Sequence, residues 1–311
     1  MKRILVPLDG AKLSEEALTH AIGIAQRHRA SLELVHIVPD LLAQVSAARP
    51  GPASFEQWLE DEEVRARNYL ESLTKGLKAE KGVEVSTHAH VRIGFVAESI
   101  LELANNLGVD LIVLTTHGKG RWERVWIGSV ADQLLRSAEQ PLLLFKPGES
   151  GARTFTAGYP RRVLVPLDGA PQGEAVLVTL RALCSPESSR LDLVSVLPEV
   201  LLFANPVLPP ALAGPLAGGQ SEEGVREYLS GLNDRLRSWG FQNVHSRVLH
   251  RNDVARCLLE IAEDEGADLI AVSTHGRGGV GRLVLGSVVD KLVRGSATAV
   301  LTVRRRAEAA P

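Results

Sequence analysis

Two aspartates stand at the ends of matching apolar runs. Asp9 follows Ile4-Leu5-Val6-Pro7-Leu8, and Asp168 follows Val163-Leu164-Val165-Pro166-Leu167, 159 positions later; a glycine comes after each. A carboxylate there can accept from ribose hydroxyls or ligate magnesium. Asp-Gly is also an ordinary turn dipeptide. A second pair of segments repeats in the same way. Thr116-His117-Gly118 with Gly128-Ser129-Val130 returns as Thr274-His275-Gly276 with Gly286-Ser287-Val288, 158 positions later. Glycines let a phosphate approach the main chain closely. A helix opening at Ser129 or Ser287 would aim free N–H groups and the positive end of its dipole at an anion, with the hydroxyls as further donors. The plainer alternative is a serine cap beside loop glycines. His117 and His275 can contact phosphate or brace the loop. The two motifs keep nearly the same separation in both copies, which implies one domain present twice, each copy building one site.

The elements that must carry these residues alternate. In the first copy, strands are expected at 3–8, 31–38, 83–92, 110–115 and 141–146. Helices are expected from Ser14-Glu15-Glu16 to about Arg27, then at 55–78, 96–107 and 129–138. The second copy repeats the order, with strands near 162–167, 191–197, 243–250, 268–273 and 297–303. Its helices fall near 173–183, 221–239, 253–265 and 287–294. Short apolar runs alternating with helices imply right-handed crossovers and parallel sheets covered on both faces. Ligands of such sheets bind beyond the carboxyl ends of the strands, where strand order reverses. Both repeated motifs fall there. The domains read as 1–147 and 161–306, with a turn-rich linker at 148–160 and a tail at 307–311.

Bulk properties narrow the function classes. The chain has 311 residues, long enough for about two domains of ordinary size. A net charge of −2 does not supply the clustered basic face that grips nucleic acid. Arg304-Arg305-Arg306 is the single dense basic run. Cys184 and Cys257 form neither a disulfide framework nor a zinc spacing and read as buried hydrophobes, in keeping with a reducing cytoplasm. Met1-Lys2-Arg3 leads straight into a strand, so no signal peptide is expected. The nearly uncharged stretch 200–219 contains Pro206, Pro209, Pro210 and Pro215, which forbid a bilayer helix. It is expected to be an apolar loop, and no membrane partner is expected.

With these residues in view the chain resembles a tandem universal stress protein. That family carries Pro-x-Asp after its first strand. After its fourth it carries Gly-x-x-Gly, nine residues, then Gly-Ser/Thr. Here the second pattern reads Thr115-Thr116-His117-Gly118 to Gly128-Ser129 and Ser273-Thr274-His275-Gly276 to Gly286-Ser287. The resemblance implies an α/β fold of two flavodoxin-like/Rossmann-like domains, each a five-stranded parallel sheet with helices on both faces. It also implies ATP binding with magnesium. Carried over, Pro7 and Asp9 flank ribose and phosphate, Ile37 meets adenine, and Leu114, His117, Gly118, Gly128, Ser129 and Val130 line the phosphate side. In the second copy the matching set is Pro166, Asp168, Val196, Val272, His275, Gly276, Gly286, Ser287 and Val288. Asp9 and Asp168 are the candidate magnesium ligands. No catalytic residue is assigned. The resemblance further implies pairing of the last strands as a pseudo-dimer within the chain; a homodimer and an unidentified protein partner are also expected.

Departures from the pattern matter. Thr115 and Ser273 replace the family's first glycine, and Ala131 and Val289 fill an often hydroxylated position. Arg92-Ile93-Gly94 keeps the family's turn, whereas Arg251-Asn252-Asp253 does not, and Ser195 stands where the first copy has His36. Unequal sites are expected, the first being the better. Gly276-Arg277-Gly278-Gly279-Val280-Gly281 matches a dinucleotide fingerprint but follows the fourth strand and lacks the acid about 20 residues on. Trp122 and Trp126 can cover a nucleotide or pack the loop. His88 and His90 share a strand face without a third metal ligand. Three readings follow: a nucleotide-binding stress-response regulator, a slow magnesium-dependent ATPase or autophosphorylating protein, and a non-binding scaffold.

Overall fold

The computed structural model describes residues 1–38, 52–81, 84–91, 95–116, 127–147, 155, 158–199, 221–274 and 285–304. The chain divides into two compact units, Met1–Tyr159 and Pro160–Pro311.

Unit 1 contains β1 (Arg3–Leu8), α1 (Lys12–His28), β2 (Ser31–Val38), α2 (Pro52–Lys81) and β3 (Val85–Val91). These are followed by α3 (Val96–Leu107), β4 (Leu111–Thr115), α4 (Ser129–Ser137) and β5 (Leu142–Phe145). Its strands run in the order β3-β2-β1-β4-β5, and every pairing is parallel. Every residue of β4 and β5 is buried, as expected of strands covered on both faces. The sequence turns α1 into a core helix by spacing Ala17, Leu18, Ala21, Ile22, Ile24 and Ala25 along one side. Right-handed crossovers put α1 and α2 on one face and α3 and α4 on the other.

Unit 2 repeats the design. It contains β6 (Arg162–Pro166), a 3-10 turn at Pro171–Glu174, α5 (Ala175–Leu183), β7 (Arg190–Leu197) and α6 (Glu222–Ser238). These are followed by β8 (Asn243–His250), α7 (Val254–Asp264), β9 (Leu269–Ser273), α8 (Ser287–Gly295) and β10 (Ala299–Val303). The order β8-β7-β6-β9-β10 is again all parallel. Both units therefore have the doubly wound, flavodoxin-like/Rossmann-like sheet, with the order reversing between the first and fourth strands.

The edge opposite the strand ends is braced identically. Asp110 accepts from the amide of Arg3 at 3.0 Å, and Asp268 from those of Arg161 and Arg162 at 2.8 and 2.9 Å. Glu33 and Asp192, buried near the starts of β2 and β7, face Arg3 and Arg162 at 3.9 and 3.8 Å. His88 Nε2 lies 2.9 Å from Glu33 Oε2, which gives that histidine a structural partner. His90 has no described side chain.

Two expectations at helix starts change. Ser14 does not cap α1: the helix begins at Lys12, with Ala11 as N-cap. Ser14 Oγ instead donates to Ala11 O at 2.8 Å and accepts from Asp9 N at 3.4 Å. Helix α5 is preceded by a 3-10 turn rather than running from Gly173, since Pro171 opens the tighter turn. In the expected linker, Phe155 is buried and Gly158 packs on Gly23 of α1. Cys184 and Cys257 are both buried thiols. No helix among the described residues is long and apolar enough to cross a membrane. The stretch 200–219 lies outside the described residues.

Candidate functional site

Sheet register brings the candidate residues of each unit to one edge. The β1–β2 ladder ends with Leu8 opposite His36, so Asp9 leaves the sheet beside Ile37. The β1–β4 ladder pairs Ile4 with Leu111 and Leu5 with Ile112, and the same register sets Asp9 level with Thr116. In unit 2, Pro166 opposite Val194 places Asp168 beside Val196. Leu164 opposite Ile270 sets Asp168 level with Thr274. Pro7 and Pro166 are half-buried within these strands, and Ile37, Leu114 and Val272 are buried.

The turns after β1 and β6 match. Gly10 and Gly169 both have φ of +80°, a conformation that side chains rarely adopt. The turn is closed by the aspartate itself: Asp9 Oδ1 accepts from Ala11 N at 2.9 Å, and Asp168 Oδ1 from Ala170 N at 3.1 Å. Each carboxylate is thus oriented by its own turn. Asp9 is half-buried, whereas Asp168 is exposed.

The glycine motifs also adopt matching geometry. Gly128 N donates to Thr116 O at 2.7 Å, and Gly286 N to Thr274 O at 3.2 Å. Thr116 N and Thr274 N donate to the last strands, at Phe145 O and Val303 O. Gly128 and Gly286 are the N-caps of α4 and α8, and neither makes a side-chain cap. The serines therefore do not cap; Ser129 and Ser287 stand exposed at the first helical position. The first ladder bonds are Asp132 N to Gly128 O and Asp290 N to Gly286 O, at 2.8 and 3.0 Å. The amides of residues 129–131 and 287–289 precede those bonds and sit where a helix favours an anion. A Cβ on Gly286 would meet Thr274 O at 3.4 Å, at the limit of ordinary van der Waals contact.

His117, Gly118, His275, Gly276, Trp122, Trp126 and the fingerprint Gly276–Gly281 lie outside the described residues, as does Arg92-Ile93-Gly94. The departure at Ser273 has a local cause. Its buried hydroxyl donates to Gly173 O at 2.8 Å and accepts from Val176 N at 3.2 Å, fixing the start of α5. Among the described residues no group of three or more His, Cys, Asp or Glu is arranged to hold a metal.

Sequence reasoning missed two acid–phenol pairs beside the aspartates. Tyr69 Oη donates to Glu15 Oε1 at 3.2 Å. Tyr228 occupies the same place in unit 2 near Glu174 and Asp168. Both follow the 159-residue offset, which was the available signal.

Fold and site together define a class: a duplicated, doubly wound α/β protein whose strand ends carry an aspartate turn and an uncapped, glycine-led helix start. Comparison with known proteins makes this specific. A model of the universal stress protein family matches residues 1–146 and again 160–304. A universal stress protein of Mycolicibacterium smegmatis is 29% identical over 310 residues, covering 97% of each chain. One from Methanocaldococcus jannaschii is 33% identical over 145 residues, covering 47% of this chain and 82% of its own length. The crystal structure of a universal stress protein from Archaeoglobus fulgidus shares the fold, with a TM-score of 0.70, 15% identity and 98% coverage of both chains. The chain belongs to the universal stress protein family, and it carries the family's domain twice.

Proposed function

We propose that each unit binds an adenine nucleotide at its strand-end crevice, and that the protein acts as a nucleotide-dependent stress-response regulator in the cytoplasm. One observation carries the reading: the same uncapped helix start, held by the same Gly N–H to Thr carbonyl bond, is built twice beside an aspartate oriented by its own turn. The family's motif-bearing members imply ATP as the ligand. The residues fit that group. The amides of Ser129, Val130 and Ala131, and of Ser287, Val288 and Val289, suit phosphate oxygens, as do the exposed serine hydroxyls. Asp9 and Asp168 suit ribose hydroxyls. Ile37 and Val196 lie beside them for the base, with Pro7, Leu114, Pro166 and Val272 behind. His117, Gly118, His275 and Gly276 complete the proposed phosphate side.

Magnesium fits in a restricted way. Asp9 or Asp168 would be a single carboxylate ligand, so nucleotide phosphates and water must supply the remaining oxygens. In this reading the ion arrives with the nucleotide.

Titration calorimetry with Mg·ATP tests the proposal. Two equivalents should bind per chain, falling to one in Asp9→Ala and in Asp168→Ala. Absence of binding heat in the parent protein, with no nucleotide released on denaturation, would overturn it in favour of a scaffold.

A further inference from the structure

The repeat around the aspartates extends further than the motif. Glu15 and Glu174 lie beside the starts of α1 and α5. Tyr69 and Tyr228 lie on α2 and α6. Both pairs keep the 159-residue spacing of Asp9 and Asp168. The two copies nevertheless hold different hydrogen bonds.

In unit 1 the Tyr69 hydroxyl donates to Glu15 at 3.2 Å. Its ring meets the His36 ring edge-on at 5.7 Å, one residue before Ile37. Burial pushes the phenol pKa upward, with further contributions from Glu15 and Asp9. Tyr69 therefore stays protonated and remains a donor. Glu15 has a second partner in Lys12 at 3.1 Å, on the solvent side.

In unit 2 the glutamate turns elsewhere. Glu174 Oε2 lies 2.8 Å from Arg235, which also faces the Trp239 ring at 5.6 Å. Tyr228 Oη is buried and makes no hydrogen bond of normal geometry, although burial, Glu174 and Asp168 together raise its pKa. Gly76 occupies the position of Arg235 in unit 1, so the cation of unit 2 has no counterpart at that position.

We infer that Tyr69 and Tyr228 are positioning residues for ribose recognition, and that Arg235 weakens this role in unit 2. The inference rests on the nucleotide reading above. The physical cause is charge. Two carboxylates on either side of the start of α1, Asp9 and Glu15, repel each other, and a phenol donor held on Glu15 offsets part of that repulsion. Asp9 then keeps the orientation that its turn sets and accepts from the ribose. In unit 2 Arg235 draws Glu174 Oε2, the Tyr228 hydroxyl faces Glu174 without a hydrogen bond of normal geometry, and Asp168 is more exposed.

The test uses the full chain with one site silenced. Asp168→Ala isolates unit 1 and Asp9→Ala isolates unit 2. Each is titrated with Mg·ATP and with Mg·2′,3′-dideoxy-ATP, which lacks both ribose hydroxyls. Tyr69→Phe should weaken ATP about five-fold at unit 1, the scale of one net hydrogen bond, and leave the dideoxy ligand unchanged. Tyr228→Phe should change either ligand less than two-fold. Adding Arg235→Gly should make Tyr228→Phe as costly as Tyr69→Phe. Equal weakening of both ligands by Tyr69→Phe would assign the tyrosine a general structural role and overturn the inference; so would no weakening at all. Failure of the parent chain to bind ATP would instead overturn the nucleotide reading and this inference with it. Melting temperatures of the Phe variants check folding.

Discussion

Beside the first strand of unit 1 stands His36, whose ring rests on Tyr69; the same position in unit 2 is Ser195, whose buried hydroxyl donates to Leu167 O at 2.7 Å. Inward from the turn, His20 of α1 stacks on Phe145 at 3.6 Å and meets Phe155 edge-on at 5.5 Å. Unit 2 has Thr179 at the matching place. On the fourth strand the weight shifts the other way: Ser273 ties α5 to β9 through two hydrogen bonds. One backbone thus carries two bracing schemes. Unit 1 relies on rings and on Phe155, Gly158 and Tyr159, whereas unit 2 relies on the buried hydroxyls of Ser195 and Ser273. The strand ends and helix starts that carry the candidate residues are alike in both. Divergence has gone into what surrounds the candidate site, and the frame of strand ends and helix starts is common to both.

This contrast can be broken most forcefully at Gly158. Its φ is +77°, and a Cβ there would lie 2.6 Å from Gly23 O. Gly158→Ala combines left-handed strain with a backbone clash and should cost unit 1 about 3–4 kcal/mol. Hydrogen exchange resolved by peptide should show α1 opening while unit 2 keeps its protection.

Acid should separate the units next. Burial lowers the pKa of His20 from 6.5 to about 4. The unfolded chain binds that proton first as pH falls, so unit 1 loses stability from pH 6.5 down to about 4. The full loss is about 3 kcal/mol. His20→Leu should flatten that part of the unit 1 profile, measured by denaturant unfolding at each pH. Thr179 adds no such slope to unit 2.

In unit 2, Ser273→Ala leaves Val176 N and Gly173 O without their partner, at a cost of about 2 kcal/mol. Faster exchange at the start of α5 is the expected signature. The smallest effect is at α6, where Ser221 accepts from Gly224 N at 3.1 Å. Ser221→Ala should cost about 1 kcal/mol and fray the first turn of α6 alone. If either change loosens unit 1 equally, the units are not braced independently.

Much of this was legible in the chain. Strand β2 and helix α3 fall on the expected residues because a run of Leu, Val and Ile interrupted by Glu33 and His36 alone, and a sharp helical period, leave little choice. Ser221 and Asp253 are true N-caps, accepting from Gly224 N and Arg256 N. Ser14, Ser129 and Ser287 carry the same cap-forming chemistry and do not cap. Local composition says that a hydroxyl is available; the angle at which the chain enters the helix decides whether it points back. The tyrosines were missed for a related reason. Tyr69 and Tyr228 sit in amphipathic helices far from any motif, and a phenol in such a helix reads as core.

The sequence alone determined that one domain occurs twice, that each copy alternates strands with helices, and that an aspartate and a glycine-led helix start recur at fixed spacing. These are properties of periodicity and repetition, which the linear order of residues records. Tertiary structure decided which groups share the strand-end edge, that a glycine stands at the N-cap of α4 and of α8, and which partner each glutamate takes. Those outcomes depend on strand register and on contacts between residues more than 50 positions apart, Tyr69 with Glu15 and Arg235 with Glu174. No local pattern encodes such a contact, because it depends on distances that exist once the helices have packed.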